Sequence, residues 1–376
     1  MEENKNQEEF EKLEGESGLT INERYSPTIY PNAEIRIMKA QYSILHVKRL
    51  CENRNELIIS PDFQRNNVWK GKQQYELIES ILMGIPIPVM YLFEMKDGTK
   101  QVVDGRQRIT TILDFLNNKF KLKDLKILHT LNGSYFKNLD PKLQGIFEDY
   151  QLFFYIIQPP TPERVKYDIF DRVNRGGTNL NNQEMRNALY QGKATQLIDQ
   201  ISNLNEFKKA TDHGVSPIRM RDRYVVLRAI AFHYLFTNQL KTADAGAPLE
   251  YKSDIDDFLA KVMIYFNQSM DEIKLQSIVQ LFKKTFERIY QTLGKDAFRF
   301  KSKTEKRRPI NMPLMESLIF LFLQYENLPN NIIIKQKIED TKVKLDQSGL
   351  FKGNVDSTNN WTHRHKQIEN ILNELQ

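Results

Sequence analysis

The sequence predicts an α+β protein, with a small mixed sheet and its helices in the first half and an all-α second half. Three observations carry this. Short runs rich in β-branched and aromatic residues stand at Leu57–Ile59, Val89–Glu94, Gln101–Val103 and Leu152–Ile157. Beyond Gly192 they give way to long segments in which apolar residues recur every three or four positions. Turn signals at Gly84-Ile85-Pro86-Ile87-Pro88, Asp97-Gly98 and Asn174-Arg175-Gly176-Gly177 break up the short runs of the first half. The chain is therefore divided into an acidic tail over 1–27, a mixed domain over 28–192 and a helical domain over 193–376.

A chain of 376 residues is long enough for two cores. Hydrophobic content of 40% beside 27% charged residues is that of a soluble globular protein. No apolar run approaches a membrane span, and the start is acidic and polar, so a cytoplasmic protein with no membrane partner is expected. Cys51 is the only cysteine, which excludes an internal disulfide, and it reads as a small core residue. The net charge of +6 leans toward nucleotide or nucleic acid without deciding between them.

Met1–Ser17 has many Glu and no periodicity, the composition of a disordered tail. Tyr42, Leu45, Val47 and Leu50 suggest a helix, and Leu57–Ile59 a strand broken by Ser60-Pro61-Asp62. A polar loop follows, in which Gln64, Arg65 and Trp69 are candidates to face a ligand, although Trp69 is more often a lid on a core. A helix over Lys72–Met83 ends at Gly84, and Ile85-Pro86-Ile87-Pro88 is extended. Asp97-Gly98 is a hairpin signal that pairs Val89–Glu94 with Thr99–Val103 and delivers Asp104 and Gly105 to the sheet edge. Glu163–Val173 reads as a helix stopped by Asn174-Arg175-Gly176-Gly177. Asn181 and Glu184 form a capping box for the next helix, which carries Gln183, Arg186 and Asn187. Helices are then expected over Arg223–Gln239, Ile255–Asn267, Ile273–Leu293, Pro313–Tyr325, Ile332–Asp346 and Trp361–Leu375. The loop Arg299–Pro309 is either solvated surface or a strip that tracks a nucleic-acid backbone.

The chain is organised around Thr99–Asn117, TKQVVDGRQRITTILDFLN. It reads as strand, tight turn and amphipathic helix, with Ile109, Ile112, Leu113 and Leu116 on one helix face. Arg106, Gln107 and Arg108 fall in the turn and first helical turn, where unpaired N–H groups and the positive dipole end favour an anion. Cations there oppose ordinary helix design, so Gly105, Arg106 and Arg108 are candidates for binding phosphate. The structural alternative is that both arginines pair with carboxylates on a neighbouring loop. Gln64 and Arg65 are expected to converge at this helix N-terminus with Arg106 and Arg108, and Arg186 is a candidate of second rank. Asp104 either holds a metal ion or orients water, or merely caps the turn.

Other motifs fail. Gly192-Lys193-Ala194-Thr195 lacks the partner glycine and the hydroxyl of a Walker A motif. No HExxH and no Cys/His cluster is present, and His363 and His365, two apart, cannot share a helix face. Pro61-Asp62 with Glu94-Met95-Lys96 matches the PD…ExK pattern of nucleases, a short pattern that recurs by chance.

Four ordered blocks, IISPDFQRNNVW (58–69), LIESILMGIPIP (77–88), VVDGRQRITTILDFL (102–116) and FDRVNRGGTNLNNQEMRNALYQG (170–192), resemble the N-terminal domain of GmrSD-type modification-dependent restriction systems. The resemblance implies a ParB/sulfiredoxin-like fold in which a loop before a helix binds nucleotide phosphates, in some members with hydrolysis, to control a nuclease that attacks modified phage DNA. Asp104, Gly105, Arg106, Gln107 and Arg108 fill the family's usual DGQQR signature, with Arg106 in place of Gln. Asp104 and Gln107 then become the candidate catalytic residues, and an NTP of unspecified base with Mg2+ the expected cofactor. The family's nuclease half carries a His followed by Pro three residues later, and no His here has that spacing. A partner nuclease is thus expected, with the helical domain transmitting nucleotide state or binding DNA or a partner. A ParB-like DNA-binding or DNA-nicking protein and a non-catalytic scaffold are the alternatives.

Overall fold

The computed structural model describes residues 13–16, 34–59, 69, 71–95, 97–162, 165, 169, 172, 181–241, 246–302, 304–324 and 331–373. It has two compact units, one formed by Tyr25–Asn179 and the other by Leu180–Gln376 together with Met1–Arg24. The expected helix over Glu163–Val173 and the Asn174–Gly177 stop fall almost entirely outside the described residues.

The first unit runs β1 (Arg36–Ser43), α1 (Ile44–Lys48), a π-turn at Arg49–Asn53, β2 (Leu57–Ile58), α2 (Lys72–Leu82), β3 (Met90–Glu94), β4 (Lys100–Asp104), α3 (Arg106–Leu116), α4 (Pro141–Asp149) and β5 (Gln151–Gln158). The sheet order is β1-β5-β3-β4-β2. β3 pairs antiparallel with β4, β1 antiparallel with β5, while β3–β5 and β2–β4 are parallel, so the sheet is mixed. The hairpin tip is an Asx turn in which the Asp97 carboxylate accepts from the Thr99 amide at 2.9 Å and its hydroxyl at 2.6 Å. One face of the sheet buries Leu92, Val102, Leu152, Phe154 and Ile156 against Ile78 and Ile81 of α2, Ile109, Ile112 and Phe115 of α3, and Phe147 of α4. Cys51 packs partly buried against this core, and burial pushes its thiol pKa up to about 12.

β1 shortens the expected helix at its start, while Leu45 and Val47 lie in α1 and Leu50 in the π-turn that follows. Tyr42 lies in the strand, Ser43 caps α1 by accepting from the His46 amide at 3.2 Å, and the helix lasts five residues. The strand was hidden because RIMKAQYS shows no clean alternation: as an edge strand with its first four residues exposed it needs none.

The second unit is helical: α5 (Asn182–Leu189), α6 (Lys193–Ser202), α7 (Asn205–Ala210), α8 (Arg221–Phe236), α9 (Ile255–Ser269), α10 (Glu272–Leu293), α11 (Met312–Gln324), α12 (Asn331–Gln347) and α13 (Thr358–Asn373). The Asn181–Glu184 capping box forms as expected, with amide contacts of 2.8 and 2.7 Å. This unit begins ahead of Gly192 because α5 is bound into it: Asn182 donates to Asp256 at 3.0 Å and Arg186 pairs with Asp256 at 2.6 Å. Leu13–Glu16, grouped by composition with the tail, is also part of it. The Glu14 amide donates to Ile310 O at 2.7 Å, its carbonyl accepts from the Met312 amide at 2.9 Å, and its carboxylate takes two 2.7 Å bonds from Arg308.

Several charges inside this unit are paired internally. Fully buried Arg228 donates to Glu316, to Asp356 at 2.7 Å and to the Tyr224 hydroxyl at 3.0 Å. The basic loop is an internal tie: Arg307 pairs with Asp212 and Asp296 at 2.6 Å each, and Arg308 with Asp346 at 2.8 Å beside Glu14. Lys193 donates to the Met270 carbonyl at the end of α9, which leaves the Gly192 turn unlike a phosphate loop. No helix among the described residues is long and apolar enough to cross a membrane.

His365 sits in an aromatic cage, its ring centroid 4.2 Å from Trp361, 5.1 Å from Phe320 and 5.7 Å from Phe236. Burial depresses its pKa to about 4, and that of His233 likewise to about 4. Unfolding raises both toward the ordinary value near 6.5, so the unfolded chain binds more protons between the two values. The stabilising contribution is therefore complete above pH 6.5 and is lost as pH falls toward 4. At pH 5 each histidine should cost about 2 kcal/mol relative to pH 7. Urea unfolding of wild type and His365→Leu at pH 7 and pH 5 checks this: the variant should show the smaller drop, and equal drops would mean that His365 does not titrate on unfolding.

Candidate functional site

The Asp104–Arg108 turn is built by the end of one strand and the start of one helix. β4 ends at Asp104, which faces Tyr91 of β3 across a register shift between Tyr91 and Leu92. The extra residue of such a bulge bends the strand and re-aims its end. Gly105 then takes φ +96°, ψ 5° and serves as N-cap of α3. Only glycine fits: a Cβ here would lie 2.3 Å from Met90 Cγ and 2.6 Å from its Sδ. The first turn of α3 has no acidic residue and no side-chain cap, and Ile109 N closes the first helical bond onto Gly105 O at 2.9 Å.

Arg108 locks this turn from within. Its Nη2 donates to Asp104 Oδ2 at 2.7 Å, and its Nη1 donates to the Pro88 carbonyl ahead of β3. Pro88 is in place because the Tyr150 hydroxyl donates to Ile85 O at 2.7 Å and accepts from the Ile87 amide at 3.1 Å, clamping the segment between α2 and β3. The arginine side chain is 12% exposed and the aspartate 28%. Carboxylate before cation at this spacing also complements the helix dipole. A guanidinium has five N–H donors, and two of them account for these bonds. Arg106 and Gln107 occupy the first two positions of α3, both half-buried.

Among the described residues, Arg186 does not join this turn. Gln64 and Arg65 lie outside the described residues, as do Asp62 and Lys96 of the PD…ExK pattern. Glu94 accepts a 2.6 Å bond from Gln158. Trp69 packs half-buried against the core, as a lid does. Arg186 belongs to the helical unit, where its side chain is fully buried, donating to Asp256 at 2.6 Å and to Gln183 at 3.0 Å. No cluster of three His, Cys, Asp or Glu able to hold a metal occurs among the described residues. A Mg2+ ion carried on phosphate oxygens needs only one or two protein carboxylates, and Asp104 is the one in the turn. The sequence left open that Arg108 pairs with a carboxylate on a neighbouring loop; the structure gives it Asp104, four residues before it.

Residues 47–191 match the family described as GmrSD restriction endonuclease, N-terminal domain. The matched stretch runs from α1 through the Asp104–Arg108 turn to the end of α5. Neither any curated protein nor any solved structure matches the chain.

Gly105 separates backbone strain from crowding. At Gly98, φ is +85° and a Cβ would meet nothing within 4 Å. Gly98→Ala should cost about 1–2 kcal/mol from the left-handed conformation alone. Gly105→Ala should cost more, because Met90 must also move. Thermal unfolding of the two variants compares them directly, and equal losses would show that Met90 yields freely.

Proposed function

We propose that this chain binds a nucleoside triphosphate at the Asp104–Arg108 turn and serves as the nucleotide-responsive component of a GmrSD-type restriction system, with a separate partner supplying the nuclease. The observation that supports the reading best is the α3 N-terminus itself. Gly105 opens it without a side-chain cap, and its first turn carries two arginines and no carboxylate. Triphosphate oxygens complement both the dipole and the cations. The match over residues 47–191 supports the restriction context. The ParB/sulfiredoxin-like architecture belongs to the same proposal, supported by a strand–turn–helix whose turn carries the signature.

Each residue then has a role. Arg106 donates to the phosphates from the first helical position. Arg108, held by Asp104 and Pro88, keeps the turn open and offers its remaining N–H donors. Asp104 shares its carboxylate between Arg108 and a magnesium ion brought by the nucleotide, and Gln107 orients the attacking water where hydrolysis occurs. The helical unit carries the response toward DNA or the nuclease.

Isothermal titration with ATP, GTP and CTP, with and without magnesium, tests this on wild type, Arg106→Ala, Arg108→Ala and Arg108→Lys. A charge-assisted hydrogen bond contributes about 1.5–3 kcal/mol, so either alanine variant should weaken binding by at least roughly tenfold. Arg108→Ala should also lower the melting temperature, because it leaves Asp104 unpaired. Lysine should rescue it only in part, since an ammonium lacks the planar fork. A wild type that binds none of the three nucleotides, or unchanged affinity in both alanine variants, would overturn the reading. Salt-dependent DNA binding without nucleotide would move the same arginines onto a DNA phosphate.

A further inference from the structure

Opposite the packed face of the sheet, one row of register partners crosses four strands. Asp104 of β4 faces Tyr91 of β3, Tyr91 pairs with Tyr155 of β5, and Tyr155 with Lys39 of β1. The two tyrosine rings are in contact, with centroids 5.4 Å apart and planes tilted by 42°. The Lys39 ammonium lies over the Tyr155 ring, 5.8 Å from its centroid, on a face that a stacked base would take over from it. Phe153, two residues along β5 and so on the same side, is 52% exposed. The row thus begins at the Asp104–Arg108 turn and continues into half-buried and exposed aromatic rings with an exposed lysine at its far end.

Cross-strand aromatic pairs also stabilise sheets, which by itself would explain two touching tyrosines. It leaves the placement unexplained. Aromatic faces left accessible in a soluble protein are surfaces for flat ligands, and nucleobases stack on such rings whatever their identity. Neighbouring strands lie about 4.8 Å apart, so Tyr155 stands roughly 10 Å from Asp104, two strands away. A ribose with its first phosphates spans that kind of distance.

We propose that Tyr91 and Tyr155 form the base platform of the nucleotide site: the base of a nucleoside triphosphate stacks on their rings while its phosphates lie on the α3 N-terminus. Lys39 reaches the base edge or the ribose from the far side of the platform. The proposal rests on the nucleotide reading of the Asp104–Arg108 turn and adds to it where the base goes. Because stacking reads the π-face rather than the edge pattern, Tyr91 and Tyr155 supply affinity for all bases.

Binding of inorganic tripolyphosphate and of ATP, GTP and CTP to the full chain separates the two ideas. Wild type should bind each nucleoside triphosphate more tightly than tripolyphosphate. Tyr155→Ala and Tyr91→Ala should each weaken nucleotide binding by roughly fivefold to a hundredfold, the range of one base–aromatic stack, and leave tripolyphosphate binding unchanged. Tyr155→Phe, which keeps the ring, should bind nucleotide like wild type. Equal wild-type affinity for tripolyphosphate and nucleotides would overturn the platform while leaving the phosphate turn standing, and this comparison needs no variant to fold. Equal loss of both ligands in the alanine variants would also overturn it. Failure of wild type to bind either ligand would remove the phosphate turn and the platform together.

Discussion

The ion pair between Asp104 and Arg108 is the constraint on which the site depends. It ties the last residue of β4 to the first turn of α3, and the second bond of Arg108 ties both to the segment that enters β3. Three chain segments are thereby fixed around Gly105, whose left-handed backbone is packed under Met90. The Tyr150 hydroxyl holds the third segment from the end of α4. A phosphate cradle requires amides held at fixed positions before the ligand arrives, since ordering them on binding would subtract from affinity. Here the order is built in. The helix terminus is already positioned, with two arginines in its first turn.

The helical unit uses charge differently. Arg228 is enclosed with Glu316 and Asp356, and Arg186 with Asp256, each cation lying fully buried against carboxylates from distant parts of the chain. Removing one member of such a pair leaves an uncompensated buried charge and is far more costly than the pair is favourable. These pairs also explain why an arginine in the family-like block 170–192 faces the interior: Arg186 lies on the side of α5 that meets Asp256 near the start of α9.

Much of the first unit was legible because its signals are local. The Asp97-Gly98 turn, the apolar runs of β3 and β5 and the 3.6-residue spacing of α2 and α3 each act within about ten residues, and the element types agree with them. The long helices α8 to α13 followed from the same periodicity. What escaped was set by distant partners. β1 has no alternation because its pairing with β5, more than a hundred residues on, supplies its reason to exist. Leu13–Glu16 looked like tail until Arg308, Ile310 and Met312 provided its contacts. At the site the glycine and the arginines were readable, whereas the Met90 contact, the Pro88 carbonyl and the Tyr91–Tyr155 row depend on sheet order, which the sequence leaves open.

Hydrogen exchange read by mass spectrometry, with and without magnesium and ATP, tests the central claim most directly. If phosphates bind at the α3 N-terminus, the amides of residues 105–109 should be the ones that gain most protection, because they lie at the phosphate oxygens. Peptides from the α10 and α12 helices should change far less. Saturating nucleotide that leaves exchange over 105–109 unaltered, while protecting another part of the chain, would contradict the account.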